Sequence, residues 1–247
     1  MQRKVALVTG GGTGVGRATA LRFAKLGYNV VVNYSRSEND AAEVAQELVT
    51  MGAECLTIKC DVSQDQQCRA MVREVDAKFG RLDVLVNNAA VTSFVPGDDL
   101  EEMTEAKWDR ILAVNLKGAF FCSRAAATLL SASGCGSIVN VSSVAGITGA
   151  GSCIAYSASK GAINTMTKTL AKVLAPKVRV NAVLPGPIDS RWIRDGDNNW
   201  DLDEMTADYP IPRASSPDEI ADGIVFFACG TSMATGQLLA IDGGQTL

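Results

Sequence analysis

Val5-Ala6-Leu7-Val8-Thr9-Gly10-Gly11-Gly12-Thr13-Gly14-Val15-Gly16 decides how the rest of the chain is read. An unbroken apolar run ends at a threonine and a cluster of glycines, and a helical pattern carrying Ala18, Leu21 and Phe23 follows. A buried strand, a turn without side chains and a helix N-terminus together make an anion site. Unpaired amides and the positive end of the helix dipole face whatever approaches. The spacing is T-G-x-x-x-G-x-G rather than G-x-G-x-x-G, and no G-K-[S/T] follows to make a Walker loop. Taken alone, the turn suits nucleotide binding and a plain tight turn equally.

Outward from that stretch, short β-branched runs alternate with longer helical ones. Strands are expected at Val5–Thr9, Asn29–Asn33, Glu54–Lys59, Val84–Asn87, Ser137–Ser142, Val178–Leu184 and Gln237–Ile241. Helices are expected at Gly14–Leu26, Glu38–Met51, Gln64–Phe79, Glu101–Ser131, Ile154–Ala175 and Pro217–Ala228. Alternation of this kind implies right-handed crossovers and a parallel sheet covered on both faces. Runs such as VALV, NVVV and DVLV are continuously apolar, as strands buried on both faces should be. The expected architecture is α/β: one Rossmann-type, doubly wound domain over residues 1–247 with seven parallel strands. The stretch Pro185 to Pro217 is rich in Asp, Asn, Pro and Trp and reads as one long irregular connection. It follows a strand's carboxyl end, where open α/β sheets bind ligands, so a substrate-binding loop is expected at about 186–217.

Composition narrows the chemistry. The 247 residues are 47 % hydrophobic and 20 % charged with a net charge of −4, and the basic residues are scattered. That balance points to a soluble, cytoplasmic protein and gives no case for nucleic acid. No apolar run approaches a membrane span, and the N-terminal apolar run breaks at Gly10, so neither membrane insertion nor a signal peptide is expected. The seven cysteines form no C-x-x-C pair and are expected to be free thiols. The chain contains no histidine. Serine–histidine and cysteine–histidine catalysis are thereby excluded, the commonest zinc sites go with them, and no metal site is expected.

Without histidine, a proton donor for a carbonyl oxygen must come from another group, and Tyr156 is a candidate. Its ordinary pKa of about 10 makes a poor base at neutral pH, but an adjacent ammonium favours the phenolate. Lys160 lies one helical turn on, at i+4, and is expected to lower the phenol's pKa. Ser143, at the end of the preceding strand, could hydrogen-bond a substrate oxygen. At the end of the second strand, Asn33-Tyr34-Ser35-Arg36-Ser37 has no carboxylate to accept the ribose hydroxyls of NAD. Arg36 could instead pair with a 2′-phosphate, assisted by Ser35 and Ser37, which favours NADP(H) while leaving NAD(H) possible. Asp61-Val62 could reach the adenine edge, or Asp61 could serve only as a turn residue.

These residues together resemble the short-chain dehydrogenase/reductase family, and the resemblance covers Thr9 to Gly244. It rests on the glycine loop, Asp61-Val62, Asn87-Asn88-Ala89-Ala90, Asn115, Ser143, Tyr156-x-x-x-Lys160, Pro185-Gly186 and the terminal Gly236-Gln237…Asp242-Gly243-Gly244. The nearest pattern is that of 3-oxoacyl-[acyl-carrier-protein] reductases, whose NADP-binding segment is similar to Asn33–Ser37. The resemblance implies reversible reduction of a carbonyl to an alcohol by hydride transfer, with Tyr156 as acid/base. It implies that Lys160 binds the nicotinamide ribose, Ser143 holds the carbonyl, and Asn115 supports a water chain. It places Gly10, Thr13, Gly14, Val15 and Gly16 at the pyrophosphate, and Asn88, Ala89 and Ala90 beneath the adenosine ribose. Pro185, Gly186, Ile188 and Ser190 fall at the nicotinamide. Two departures stand out, Ala90 for the family's glycine and Ser190 for its threonine. The substrate is left as an acyl thioester or a small ketone, sugar or other secondary alcohol. A carrier-protein docking patch is only half present, with Lys172 and Lys177 at one helix end and Ser131–Gly136 without a basic residue at the other. Arg191, Trp192, Arg194 and Trp200 in the long loop either shape a substrate pocket or pack a lid. A homotetramer is implied through the two long helices, which are apolar around most of their circumference. A catalytically silent dinucleotide sensor on the same fold is the competing reading.

Overall fold

A computed structural model describes residues 2–196 and 200–247. The elements run β1 (Val5–Val8), α1 (Gly14–Lys25), β2 (Asn29–Tyr34), α2 (Glu38–Thr50), β3 (Cys55–Lys59), α3 (Asp65–Phe79) and β4 (Val84–Asn87). After them come α4 (Glu105–Ile111), α5 (Ala119–Ala132), β5 (Gly136–Val141), α6 (Ala145–Thr148), α7 (Ile154–Leu174) and β6 (Val178–Pro185). The last elements are α8 (Arg191–Arg194), α9 (Leu202–Thr206), α10 (Pro217–Val225) and β7 (Leu238–Ile241). The seven strands form one sheet in the order β3-β2-β1-β4-β5-β6-β7, every neighbouring pair parallel. The expected doubly wound fold is therefore the observed one. Its order reverses between β1 and β4, and the crevice at their carboxyl ends is where such sheets bind ligands.

The continuous apolar runs are explained by layers on both faces. Ala6, Val8, Val30 and Val32 pack with Val15, Phe23, Val44, Leu48, Ile220 and Ile224 on one face. Val5, Leu7, Val31 and Leu85 pack with Met71, Val75, Phe79, Cys122, Ala126 and Leu130 on the other. Alternate residues of one strand thus enter different cores, and each large side chain contributes about 1.5–3 kcal/mol of burial. Helix α10 begins with the strongest local signal in the chain. Ser216 and Glu219 form a reciprocal capping box, with Pro217 in the first turn.

Two expectations about elements need correction. The helix expected over Glu101–Ser131 starts at Glu105 and ends at Ala132, with a π-helical turn over Leu112–Gly118 between α4 and α5. Periodicity cannot show such a turn, because one extra residue leaves the apolar pattern nearly intact. The stretch expected to be irregular after Pro185 contains α8 and α9, each a single turn, the second capped by the Asp201 carboxylate. Residues 197–199 of that stretch lie outside the described residues. All seven cysteines are free thiols. No helix among the described residues is long and apolar enough to cross a membrane.

Candidate active site

The glycine turn is tied to three strands. Thr9 Oγ1 donates to the Val86 carbonyl at 3.2 Å and accepts from the Asn88 and Ala89 amides at 2.9 and 3.0 Å. Asn88 Nδ2 donates to the carbonyls of Thr9 and Gly10 at 2.9 and 3.1 Å. Asn33 Oδ1 accepts from the Gly10 amide at 3.3 Å, while its Nδ2 reaches the Cys60 carbonyl at 3.0 Å. Asn33 and Asn88, expected as cofactor contacts, thus also clamp the loop that would hold the cofactor. Gly10 and Gly14 adopt φ of +62° and +50°, a region that favours glycine. Gly16 is required by crowding, since a Cβ there would lie 2.1 Å from the Gly10 carbonyl oxygen. Thr13 precedes α1 without a side-chain cap and no acid occupies the first turn, so the amide end of the helix is left to a ligand.

This turn opens into a cavity of about 990 Å³ along the carboxyl edge of the sheet. Gly10, Thr13, Gly14, Val15, Asn33, Tyr34, Ser35, Arg36, Asp61 and Val62 line one end. Asn88, Ala89, Ala90, Ser143, Tyr156, Lys160, Pro185, Gly186, Ile188 and Ser190 line the remainder. Of the expected catalytic and cofactor residues, Gly16 and Asn115 do not line it, and of the long-loop residues Arg194 does not. Gly16 packs beneath Gly10 and Asn88. Asn115 is buried in the π-helical turn. Its Oδ1 accepts from the Val91 amide at 2.8 Å, and its Nδ2 donates to the Val91 carbonyl at 3.0 Å and Ser159 Oγ at 3.1 Å. It braces the wall from behind, and Ser159 Oγ carries the brace on to the Tyr156 carbonyl at 2.7 Å.

Arg36 stands exposed at the cavity mouth and forms no ion pair with a described residue. Asp61 behaves differently. Burial pushes its carboxyl up, but the Ser63 hydroxyl and amide and the Arg110 guanidinium outweigh that and hold it below the ordinary range.

At the far end, the buried Lys160 Nζ donates to the Val141 carbonyl at 2.8 Å and lies 5.4 Å from the centre of the Tyr156 ring. The Ser143 hydroxyl stands beside the Tyr156 phenol, near enough to favour its ionised form, and accepts from the Ala145 amide at 3.1 Å. Neighbouring Ser142 is turned away and engaged with Asn164 Oδ1 at 2.7 Å and the Lys160 carbonyl at 3.1 Å. The expectation that Lys160 lowers the Tyr156 pKa is not met. Burial pushes the phenol up to about 12, with the Ser143 hydroxyl opposing the rise, and burial pushes Lys160 down to about 7. The reason is shared desolvation. The amine loses its own charge near neutrality and cannot hold a full positive charge beside the phenol. A phenol kept protonated, a hydroxyl beside it and an amine within one ring's width can together deliver a proton to an oxygen lodged between them.

Sequence reading missed part of this wall. Phe94, Ser152 and Met205 line the same cavity, from segments without helical or strand periodicity. The available signal was position alone, since Phe94 follows β4 at the ligand edge as Trp192 follows β6.

Comparison with known proteins agrees with this geometry. The family described as short chain dehydrogenase matches residues 4–199. A protein of Streptomyces violaceoruber described as ketoacyl reductase 2 of the granaticin polyketide synthase is 40 % identical over 98 % of this chain and 96 % of its own length. A 3-oxoacyl-[acyl-carrier-protein] reductase of Synechocystis is 37 % identical over 99 % of this chain and 97 % of its own. A solved short-chain dehydrogenase/reductase structure from Burkholderia xenovorans superposes with a TM-score of 0.93 at 38 % identity, covering 99 % of this chain and 98 % of that one. The chain belongs to the short-chain dehydrogenase/reductase family. It is an oxidoreductase of the CH–OH/C=O couple that works with a nicotinamide dinucleotide.

Proposed function

We propose that this chain is an NADPH-dependent carbonyl reductase, reversible as an alcohol dehydrogenase, with Tyr156 as its acid/base. Residues 1–247 act as one cofactor-binding and catalytic domain, and about 186–217 form its substrate loop. The observation carrying the proposal is the meeting of the Tyr156 phenol, the Ser143 hydroxyl and Lys160 Nζ in the cavity that the glycine turn opens into. The residues present fit a dinucleotide. The space a Cβ would need at Gly16 is filled by Gly10 and Asn88, and the α1 amides are left uncapped. The unengaged Arg36 supports a 2′-phosphate there, and therefore NADP(H).

When bound, the nicotinamide supplies the hydride. Ser143 Oγ and the Tyr156 phenol hold the substrate's carbonyl oxygen, and the phenol gives it the proton. Lys160 is placed to hold ribose hydroxyls, and Asn115 keeps Val91 and the Tyr156 turn in register through Ser159. A partly neutral Lys160 can also pass a proton toward the phenol between turnovers. The ketoacyl and 3-oxoacyl names of the relatives support a ketone as the group reduced.

The test is Tyr156→Phe. NADPH affinity by fluorescence titration should stay within about twofold, and kcat for ketone reduction should fall by about 10³-fold, the scale of a lost general acid. Retained turnover would exclude Tyr156 as the acid, and wild-type protein that binds NADPH yet reduces no ketone would favour the silent sensor instead.

A further inference from the structure

Two aromatic pairs stand on the wall of the cavity beyond Ser143. The Trp192 ring lies 6.2 Å from the Tyr156 ring at 51°, and Phe94 meets Trp200 edge to face at 5.3 Å and 87°. Trp192 and Trp200 are 40 % and 39 % exposed, a large apolar area to leave in water beside a reacting centre. Met205 and Ile193 continue the same lining.

Among the described residues, several polar groups near these rings are already paired. Thr92 and Ser152 share a hydrogen bond with each other. Arg191 pairs with Asp40 at 2.7 Å, and Arg194 pairs with Asp189 through both carboxylate oxygens. Asp195 stands on the same lining and adds negative charge. A sugar would require several open donors and acceptors, and a carboxylate or phosphate would require an open cation. The described part of this wall offers flat, electron-rich faces, and these prefer offset or edge contacts with another ring.

We propose that the substrate is an uncharged aromatic ketone whose ring lodges between Trp192 and the Phe94–Trp200 pair, its carbonyl directed to Ser143 and Tyr156. This rests on the carbonyl-reductase reading of the same site. The two tryptophans then select the ring, while the polar end of the cavity handles only oxygen and cofactor.

The test compares kcat/KM with NADPH for 2-tetralone, for 2-decalone (the same skeleton without an aromatic ring) and for the N-acetylcysteamine thioester of acetoacetate. The expected result is a preference for 2-tetralone of at least about tenfold over both others. Trp192→Ala and Trp200→Ala should each remove about tenfold of that rate while leaving 2-decalone within about threefold, and Trp192→Phe should restore most of it. The proposal is overturned if 2-decalone or the thioester is reduced as well as 2-tetralone. It is also overturned if Trp192→Ala lowers all three rates together and raises the Kd for NADPH, which would make the indole a cofactor contact. Thioester reduction that disappears in Tyr156→Phe, with 2-tetralone inert, overturns the aromatic assignment and leaves the reductase standing. Normal NADPH binding with none of the three reduced overturns both.

Discussion

The two ends of the cavity are built by opposite means on one sheet edge. At the dinucleotide end, Thr9, Asn33 and Asn88 knit the glycine turn to β1, β2 and β4 through buried hydrogen bonds, and Gly16 packs where no side chain fits. At the other end, the segment after β6 is held by the Ile188–Ser215 bridge and the surface ion pair Arg191–Asp40, and its large side chains face the cavity. The difference matches what each end must recognise. A cofactor of fixed shape rewards a rigid cradle, whereas a wall that selects among substrates can change without disturbing the core.

The contrast can be broken most directly at Gly16. Gly16→Ala forces a Cβ against the Gly10 carbonyl and Asn88, so denaturant unfolding should show a loss of about 3 kcal/mol, with NADPH binding abolished. Wild-type stability in that variant would mean that the cradle yields as readily as the far wall.

The next largest effect is on pH dependence. With Tyr156 pushed up to about 12, the phenol is protonated from pH 6 to 10, so ketone reduction should not decline through its titration. Alcohol oxidation needs the phenolate, whose fraction rises about tenfold per pH unit below the pKa, so its rate should climb about a hundredfold between pH 7 and 9. A flat oxidation profile over that range would show that the phenol is not the base.

Arg36→Ala is expected to raise the Kd for NADPH by about 10- to 100-fold and leave NADH within about twofold, the scale of a charge-assisted hydrogen bond. Equal loss for both cofactors would end the phosphate assignment. The smallest effect belongs to the Arg191–Asp40 ion pair. Asp40→Asn removes a surface ion pair of about 0.5 kcal/mol, so stability should change little and the release rate of NADPH should rise about twofold. About 1 M salt should raise the wild-type release rate similarly and the variant's hardly at all.

Much of the first end was legible in the sequence, because its determinants are local. Apolar runs and a glycine turn act within a few residues, and at the far end Tyr156 and Lys160 share a helix face by spacing alone. The chain's lack of histidine added weight to the tyrosine. The second end depends on distant partners. Nothing around Phe94 announces that it meets Trp200, and Arg191 finds Asp40 only once the sheet brings β2 and β6 to a common edge. The inverted expectation for Lys160 has the same origin. Spacing shows proximity, but the dryness that takes the charge off the amine is a property of the assembled fold.

The π-helical turn over Leu112–Gly118 carries a consequence of another kind. Such a turn is a helix with one residue more than its repeat accommodates. Losing a single codon there would relax the segment to ordinary α-helix at no cost to its own hydrogen bonds. The helices on either side would keep their phase, and the side chains within the turn itself would be re-aimed. Asn115 would then be rotated off Val91 and Ser159. The helix would be improved and the wall behind the tyrosine released, so chain length at this point is under as much constraint as residue identity.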